Sequence, residues 1–258
     1  MAMLIDTHTH LYLPEFAPDP AAAVDRAVAS GVGFLLLPNV DLTTIADMKR
    51  LHDSRPEVTA MAMGLHPTEV NDDWRQALDT VHKELTDNPG DYVAIGEIGI
   101  DLYWDKSFRE SQMEVFREQS LWALAMDLPI IIHCREGLDE VLQVLGSRPS
   151  VPRGVFHSFG GTVDDVDRIR ALGDFYFGIN GIVTFKNSRL RDTLGHIGPE
   201  RLLLETDSPY LAPVPMRGKR NESAYMIHTA AYVADSLGVS ADEAAALTTH
   251  NAKTLFKL

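Results

Sequence analysis

Cysteine occurs once in these 258 residues, at Cys134. No disulfide can close within the chain, which fits a reducing compartment. Long apolar runs are missing too: no stretch approaches the roughly 18 residues of a membrane span. The opening residues Met1-Ala2-Met3-Leu4-Ile5-Asp6 contain no basic n-region and reach an acid at once. No secretory signal is visible there, and a cytoplasmic protein without membrane contact is the expectation. Positive charge is scarce, with 23 Lys and Arg against 37 Asp and Glu, a formal net charge of -14. That balance favours solubility and works against long-range steering of a polyanion. A nucleic-acid partner would have to be gripped locally.

Several motifs are also absent. The chain has no Cys-x-x-Cys, no His-Glu-x-x-His, no Gly-x-x-x-x-Gly-Lys-[Ser/Thr], no Gly-x-Gly-x-x-Gly and no Gly-x-Ser-x-Gly. Zinc-ribbon, zincin, nucleotide-loop, Rossmann and serine-hydrolase readings lose their usual support. No sequence repeat, low-complexity tract or linker is visible.

What is present is a series of eight short apolar runs: Leu4-Ile5, Val32 to Leu37, Val58 to Met63, Tyr92 to Ile95, Pro129 to Ile132, Gly154 to Phe156, Phe175 to Ile179 and Arg201 to Leu204. They are near-continuous rather than alternating, as expected for parallel strands buried on both faces. Amphipathic stretches separate them. Ala21 to Ala29 is alanine-rich and stops before Gly31. Ser107-Phe108-Arg109-Glu110 reads as a capping box opening a long helix, with Met113, Phe116, Leu121 and Leu124 on one face. Thr162 with Asp165, and Ser240 with Glu243, are positioned to open two more. The stretch from Pro209 to Gly218 reads as a functional loop.

This alternation predicts an α/β fold, a TIM-like (β/α)8 barrel spanning residues 1-258 as one hydrolase domain. The competitor is an open doubly wound sheet. Chemistry-bearing residues follow the first, fourth, fifth, sixth and eighth runs. Only a closed barrel brings the first and last of these together, at the strand ends where barrel active sites lie.

His8 and His10 sit two residues apart, so strand alternation points both to one face, where they can hold a divalent cation. Glu97, between Gly96 and Ile98-Gly99, follows a buried strand and is costly unless paired or bound to a cation. An ion pair inside the barrel is its other explanation. Asp101 reads as structural. His133 and His157 end successive strands and form a natural second pair of nitrogen ligands. Cys134 should point away from His133, as a small buried hydrophobe. Arg135 returns to the face of His133, where it can bind a phosphate or carboxylate, or form a structural ion pair. Glu205 and Asp207 share a face. Asp207, at the mouth, is the better metal ligand and general base; Glu205, deeper, orients its neighbours. His66, after the third run, is a candidate substrate contact. The basic loop Arg217-Gly218-Lys219-Arg220 lies just beyond Asp207, either simply solvated or meeting a phosphate. His52, His82, His196, His228 and His250 receive no role.

Ordered along the chain, Asp6-Thr7-His8-Thr9-His10-Leu11, Gly64-Leu65-His66-Pro67, Gly96-Glu97-Ile98-Gly99-Ile100-Asp101, His133-Cys134-Arg135-Glu136, His157-Ser158-Phe159-Gly160-Gly161, Gly181-Ile182-Val183-Thr184-Phe185-Lys186 and Glu205-Thr206-Asp207-Ser208-Pro209-Tyr210-Leu211 resemble the TatD family of metal-dependent hydrolases and deoxyribonucleases. The resemblance covers almost the full length. It implies a TIM-like barrel holding up to two divalent cations, one among His8, His10, Glu97 and Asp207, the other among Glu97, His133 and His157, with Glu97 shared. Gly160 replaces a common serine and Ser223 a common proline; neither removes a ligand. Histidine with carboxylate suits zinc, manganese and, less well, magnesium.

The family's activity implies phosphodiester hydrolysis, especially exonucleolytic cleavage of DNA, with the 3′ end of a single strand preferred. Glu97 would bridge the cations and Asp207 would take the proton of the attacking water. His66 and Arg135 would bind substrate, with Lys186 and the Arg217–Arg220 loop as further phosphate contacts. The chain offers no basic stripe and no aromatic-rich platform for a long strand. No membrane contact or obligate protein partner is implied. The alternatives are an amidohydrolase-like enzyme for a small ester, lactone or amide, and deacylation of aminoacyl-tRNA, attributed to some relatives. Lactonases of this barrel type often bridge their metals with a carboxylated lysine where Glu97 stands. A non-catalytic scaffold is disfavoured by six retained ligand candidates.

Overall fold

The computed structural model describes residues 3–258. Met1 and Ala2, which open the stretch without a basic n-region, lie outside them. Strand and helix alternate: β1 (Leu4–Asp6), α1 (Pro20–Ala29), β2 (Val32–Pro38), α2 (Ile45–Ser54), β3 (Thr59–Met63), α3 (Trp74–Asp87), β4 (Tyr92–Asp101) and α4 (Arg109–Met126). The second half continues with β5 (Ile130–Arg135), α5 (Leu138–Gly146), β6 (Gly154–Phe156), α6 (Val163–Arg170), β7 (Tyr176–Ile179), α7 (Leu190–Ile197) and β8 (Leu202–Leu204). Two helices, α8 (Met226–Leu237) and α9 (Ala241–Phe256), follow.

The eight strands form one sheet in sequential order, and each neighbouring pair is parallel. The seam between β8 and β1 is closed by main-chain bonds. Thr7 N–H donates to Leu204 O at 3.0 Å, Asp207 N–H to His8 O at 2.9 Å and His10 N–H to Ser208 O at 2.8 Å. The fold is the expected (β/α)8 barrel, and the open-sheet alternative is excluded.

Alternation along buried strands divides the apolar residues in two. One set, including Leu35, Leu37, Ile95, Ile130 and Ile132, packs outward against the helices. The other fills the barrel with Ile5, Leu36, Ala60, Ala62, Ala94, Ile131, Val155, Tyr176 and Leu203. Ala252, Leu255 and Phe256 at the end of α9 join this inner cluster. Asn251 Nδ2 donates to Pro199 O (2.8 Å) and Leu202 O (2.9 Å), which seats α9 at the end where the strands begin.

Three local expectations fail. The fourth and fifth runs do not stop before Glu97 and His133; β4 and β5 pass through both, in register from Gly99 with His133 to Asp101 with Arg135. The glycines break the apolar pattern but not the ladder. Ser107 does not cap α4: its N–H and hydroxyl both bond to Asp105 Oδ1, at 2.8 and 2.6 Å, and the helix begins at Arg109. The inner face of α4 contains Met113 and Phe116 but not Leu124, which is exposed. Gln112 and Gln119 are buried there instead. The capping boxes at Thr162 and Ser240 both form.

Candidate metal centre

The carboxylate of Glu97 is the centre of the barrel mouth. With Ala94 inside the barrel, strict alternation would send Glu97 outward beside Ile95. A register shift between Ile95 and Ile98 turns it inward instead. It is buried, and its two oxygens face different groups. Oε2 lies 3.1 Å from His8 Nε2 and 3.7 Å from His10 Nε2. Oε1 lies 2.8 Å from His133 Nδ1, 3.3 Å from His66 Nε2 and 3.4 Å from His157 Nε2. Asp207 Oδ1 closes the first group, 3.6 Å from His10 Nε2 and 3.9 Å from His8 Nε2. All six predicted ligands therefore converge.

His8 and His10 do face one cluster, but not as strand residues. β1 ends at Asp6, and the pair lies in a bent segment held by the Thr9–Ser208 bridge.

The far nitrogens of two imidazoles are committed to proton acceptors, and that of a third faces a carboxylate. The Tyr12 hydroxyl donates its only proton to Pro38 O, so its oxygen accepts from His10 Nδ1–H at 2.9 Å. Asp101 Oδ2 lies 2.9 Å from His133 Nε2. Glu205 Oε1 lies 3.0 Å from His157 Nδ1, off-line for a hydrogen bond, which makes it a charge contact. The near nitrogens then turn lone pairs toward carboxylate oxygens. Acceptor facing acceptor at these distances is repulsive unless a proton or a cation stands between. The ligand atoms fall into three groups, His8–His10–Asp207, His8–Glu97–His157 and His66–Glu97–His133, each within 4.8 Å. This mixed N/O donor set fits a divalent cation.

The charge states agree. Burial opposes the Glu97 carboxylate, but His66, His8, His157 and the bond from His133 hold it well below its usual range. Asp207 is likewise held low, against burial, by His157, His10 and His8. Burial, with His157 beside it, pushes His8 down. Burial also pushes His66 down. For His157, burial is outweighed by Glu205, Glu97 and Asp207, which raise it to about 10. The carboxylates that attract a proton there would attract a cation equally. Asp207 holds a left-handed backbone, φ +56°, as do Ser158 (+48°) and Glu136 (+53°). Such strain in non-glycine residues clusters at functional sites.

Two residues gain neighbours that the sequence did not assign them. His66, expected to contact substrate, lines the mouth cavity and also stands within the His66–Glu97–His133 group. Asp101, expected to be structural only, lines the mouth cavity and holds His133. That cavity, about 840 Å³, is also lined by Arg135. Arg135 lies over the Tyr103 ring at 3.6 Å and has no ion pair among the described residues. The Arg217–Arg220 loop does not reach in. Arg220 donates to Glu15 O and Glu222 Oε2 and covers Phe16, while Arg217 covers Phe185. Lys186 is exposed and stands outside the cavity lining. Cys134 is half-buried against the core, and burial pushes its thiol up to about 12.

The family model of TatD related DNases matches residues 5–257. The chain belongs to the TatD family. It is 37% identical over 258 residues to the uncharacterized metal-dependent hydrolase YabD of Bacillus subtilis, covering 99% of this chain and 100% of that one. It is 33% identical to the 3'-5' ssDNA/RNA exonuclease TatD of Pantoea vagans, covering 99% and 100%. The crystal structure of the TatD homologue YjjV from Escherichia coli superposes with a TM-score of 0.90 at 31% identity, covering 99% and 98%. This TatD-family protein is a metal-dependent hydrolase.

Sequence reasoning left out several residues that support the TatD-family centre. Gln112 brackets Asp101, accepting from its N–H at 2.9 Å and donating to its O at 3.0 Å. Gln119 does the same for Leu65, beside His66, at 2.8 and 3.1 Å. Asp6 Oδ1 and Oδ2 take the Thr206 N–H (3.0 Å) and hydroxyl (2.6 Å), locking the ends of β1 and β8 together. Apolar periodicity passes over such residues; two glutamines seven apart on α4 were the available signal.

Proposed function

We propose that this protein hydrolyses phosphodiester bonds of single-stranded nucleic acid from an end, with the 3′ end of DNA preferred. The observation that supports this best is the division of Glu97, whose two oxygens face two separate nitrogen groups across one carboxylate. That arrangement suits two divalent cations sharing Glu97. His8, His10 and Asp207 would hold one; His133, His157 and His66 would hold the other. When bound, such cations lower the pKa of a water and offset the charge developing on phosphoryl oxygens.

The remaining steps belong to the chain itself. Asp207 is ionised and stands at the mouth, so it takes the proton as water attacks phosphorus; the P–O bond to the leaving nucleoside breaks and its oxygen takes a proton from solvent. Glu205 fixes the ring of His157. Arg135 meets a phosphate oxygen at the cavity rim. The site is compact, which suits one or two terminal nucleotides and disfavours duplex, whose end must fray first. The relative from Pantoea vagans, named for 3'-5' action on ssDNA and RNA, supports this choice among the hydrolytic reactions of the fold.

The test is a time course on end-labelled single strands of DNA and RNA and on a circular single strand, with divalent metal and with chelator. Stepwise loss from the 3′ end, abolished by chelation, is expected. Rapid cutting of the circle would remove the end requirement. No cleavage of any nucleic acid, alongside robust lactone or ester hydrolysis, would replace the assignment with an amidohydrolase-type reaction.

A further inference from the structure

Three aromatic side chains are exposed among the described residues: Tyr103 (49%), Trp104 (72%) and Tyr210 (52%). Isolated exposed hydrophobics are ordinary on protein surfaces. These three are not scattered. Trp104 and Tyr210 line the cavity of the metal centre, and Tyr103 stacks on Arg135, which lines it too.

The turn that presents Trp104 is tied to the metal centre through one carboxylate. Asp101 Oδ1 accepts from Tyr103 N–H at 3.0 Å and more loosely from Trp104 N–H at 3.4 Å. Its Oδ2 holds His133 Nε2 at 2.9 Å. The indole is thus positioned through its backbone; its ring meets Tyr103 edge-on, centroids 4.9 Å apart, and stays largely exposed. Arg135 lies beside the ring, its guanidinium 5.3 Å from the indole centroid, and lines the same cavity. An open aromatic face, a cation beside it and a hydrolytic centre behind them suit a substrate in which a flat heterocycle neighbours a phosphate.

We propose that Trp104 stacks on the base of the nucleotide bordering the scissile phosphate, while Arg135 meets the phosphate next to it. This rests on the phosphodiesterase assignment above. Stacking suits an enzyme that trims any sequence, because every base offers a π-face. It also supplies local grip to a chain whose net charge repels the strand.

The experiment compares wild type, Trp104→Ala and Trp104→Phe, all metal-loaded. The substrates are a single-stranded deoxyoligonucleotide and the same strand with one abasic sugar at the terminal or the penultimate position. Trp104→Ala should raise KM on the intact strand about tenfold, with kcat little changed, and Trp104→Phe should recover most of the loss. One abasic strand should cost the wild type as much, and combining it with Trp104→Ala should add nothing. A strand blocked by a terminal phosphorothioate should quench tryptophan fluorescence in wild type and not in Trp104→Ala. Equal KM and quenching in wild type and Trp104→Ala, with the wild type cleaving normally, would overturn the stacking role alone. A wild type that neither binds nor cleaves any strand would overturn both the stacking role and the phosphodiesterase assignment.

Discussion

Gly178 and Glu205 meet across β7 and β8 so closely that a Cβ at residue 178 would stand 2.1 Å from Glu205 Oε2. Glu205 has room to lie under His157 only because its neighbour lacks a side chain. Gly178→Ala should therefore act like Glu205→Gln. Each should weaken metal retention and turnover by roughly 10–100-fold, as for other groups that orient a ligand from behind. Their combination should cost little more than either alone. Metal titration and turnover on the three variants check this; unchanged metal affinity in Gly178→Ala would show that the orientation of His157 does not depend on Glu205.

Glu97→Gln should be more damaging than His66→Ala. The first removes the negative charge that both nitrogen groups face, so metal content should fall at both positions. The second leaves Glu97, His133 and His157 in place and should weaken one position only. Metal content per chain and turnover, measured together, decide the order. Two metals and full activity in Glu97→Gln would show the shared carboxylate to be misassigned.

The two arginines near the mouth should separate by phenotype. Arg135→Ala should raise KM for oligonucleotide, whereas Arg220→Ala should lower stability and leave KM near wild type, because Arg220 is occupied by Glu15 and Glu222. With so few phosphates gripped, log affinity should fall with log salt at a slope of about -1 to -2. A steep slope would reveal a longer track than the mouth provides.

Glu222 gives a pH-dependent test of stability. It is buried and takes Arg26 on α1 (2.6 Å) and Arg220 (3.2 Å). Burial pushes its carboxyl up, but the two guanidiniums hold it below the usual value of 4.5. A lowered folded-state pKa gives stability that is complete above the unfolded value and lost as pH falls through the folded one. Both arginines are about half exposed, so the contribution is only about 1 kcal/mol. Glu222→Gln should melt lower than wild type at pH 7, and the gap should close in acid. A gap that persists at low pH would point to lost packing instead.

Much of this is legible in the sequence. Strands buried on both faces leave continuous apolar runs, and all eight runs became strands. The six ligand candidates converged because barrel strands deliver their ends to one place. Alternation alone misplaces Glu97, since a register shift inside β4 reverses its face. Local rules also lost to neighbours at α4, where Asp105 captured Ser107 before it could cap. Gln112, Gln119 and Asp6 stayed hidden because their work is polar, and for Gln119 and Asp6 it joins segments far apart in sequence.

The end of α9 has a consequence for how a strand is consumed. Ala252, Leu255 and Phe256 complete the packing of a barrel whose interior is already filled with side chains, so the cavity at the mouth has no way through to the other end. A strand cannot thread through it as through a ring. On the proposed exonuclease reading, each severed nucleotide would back out on the side from which the strand entered, and the remaining end would lift before it is seated again. Such an enzyme would nibble in separate visits, trimming frayed tips without travelling along the polymer.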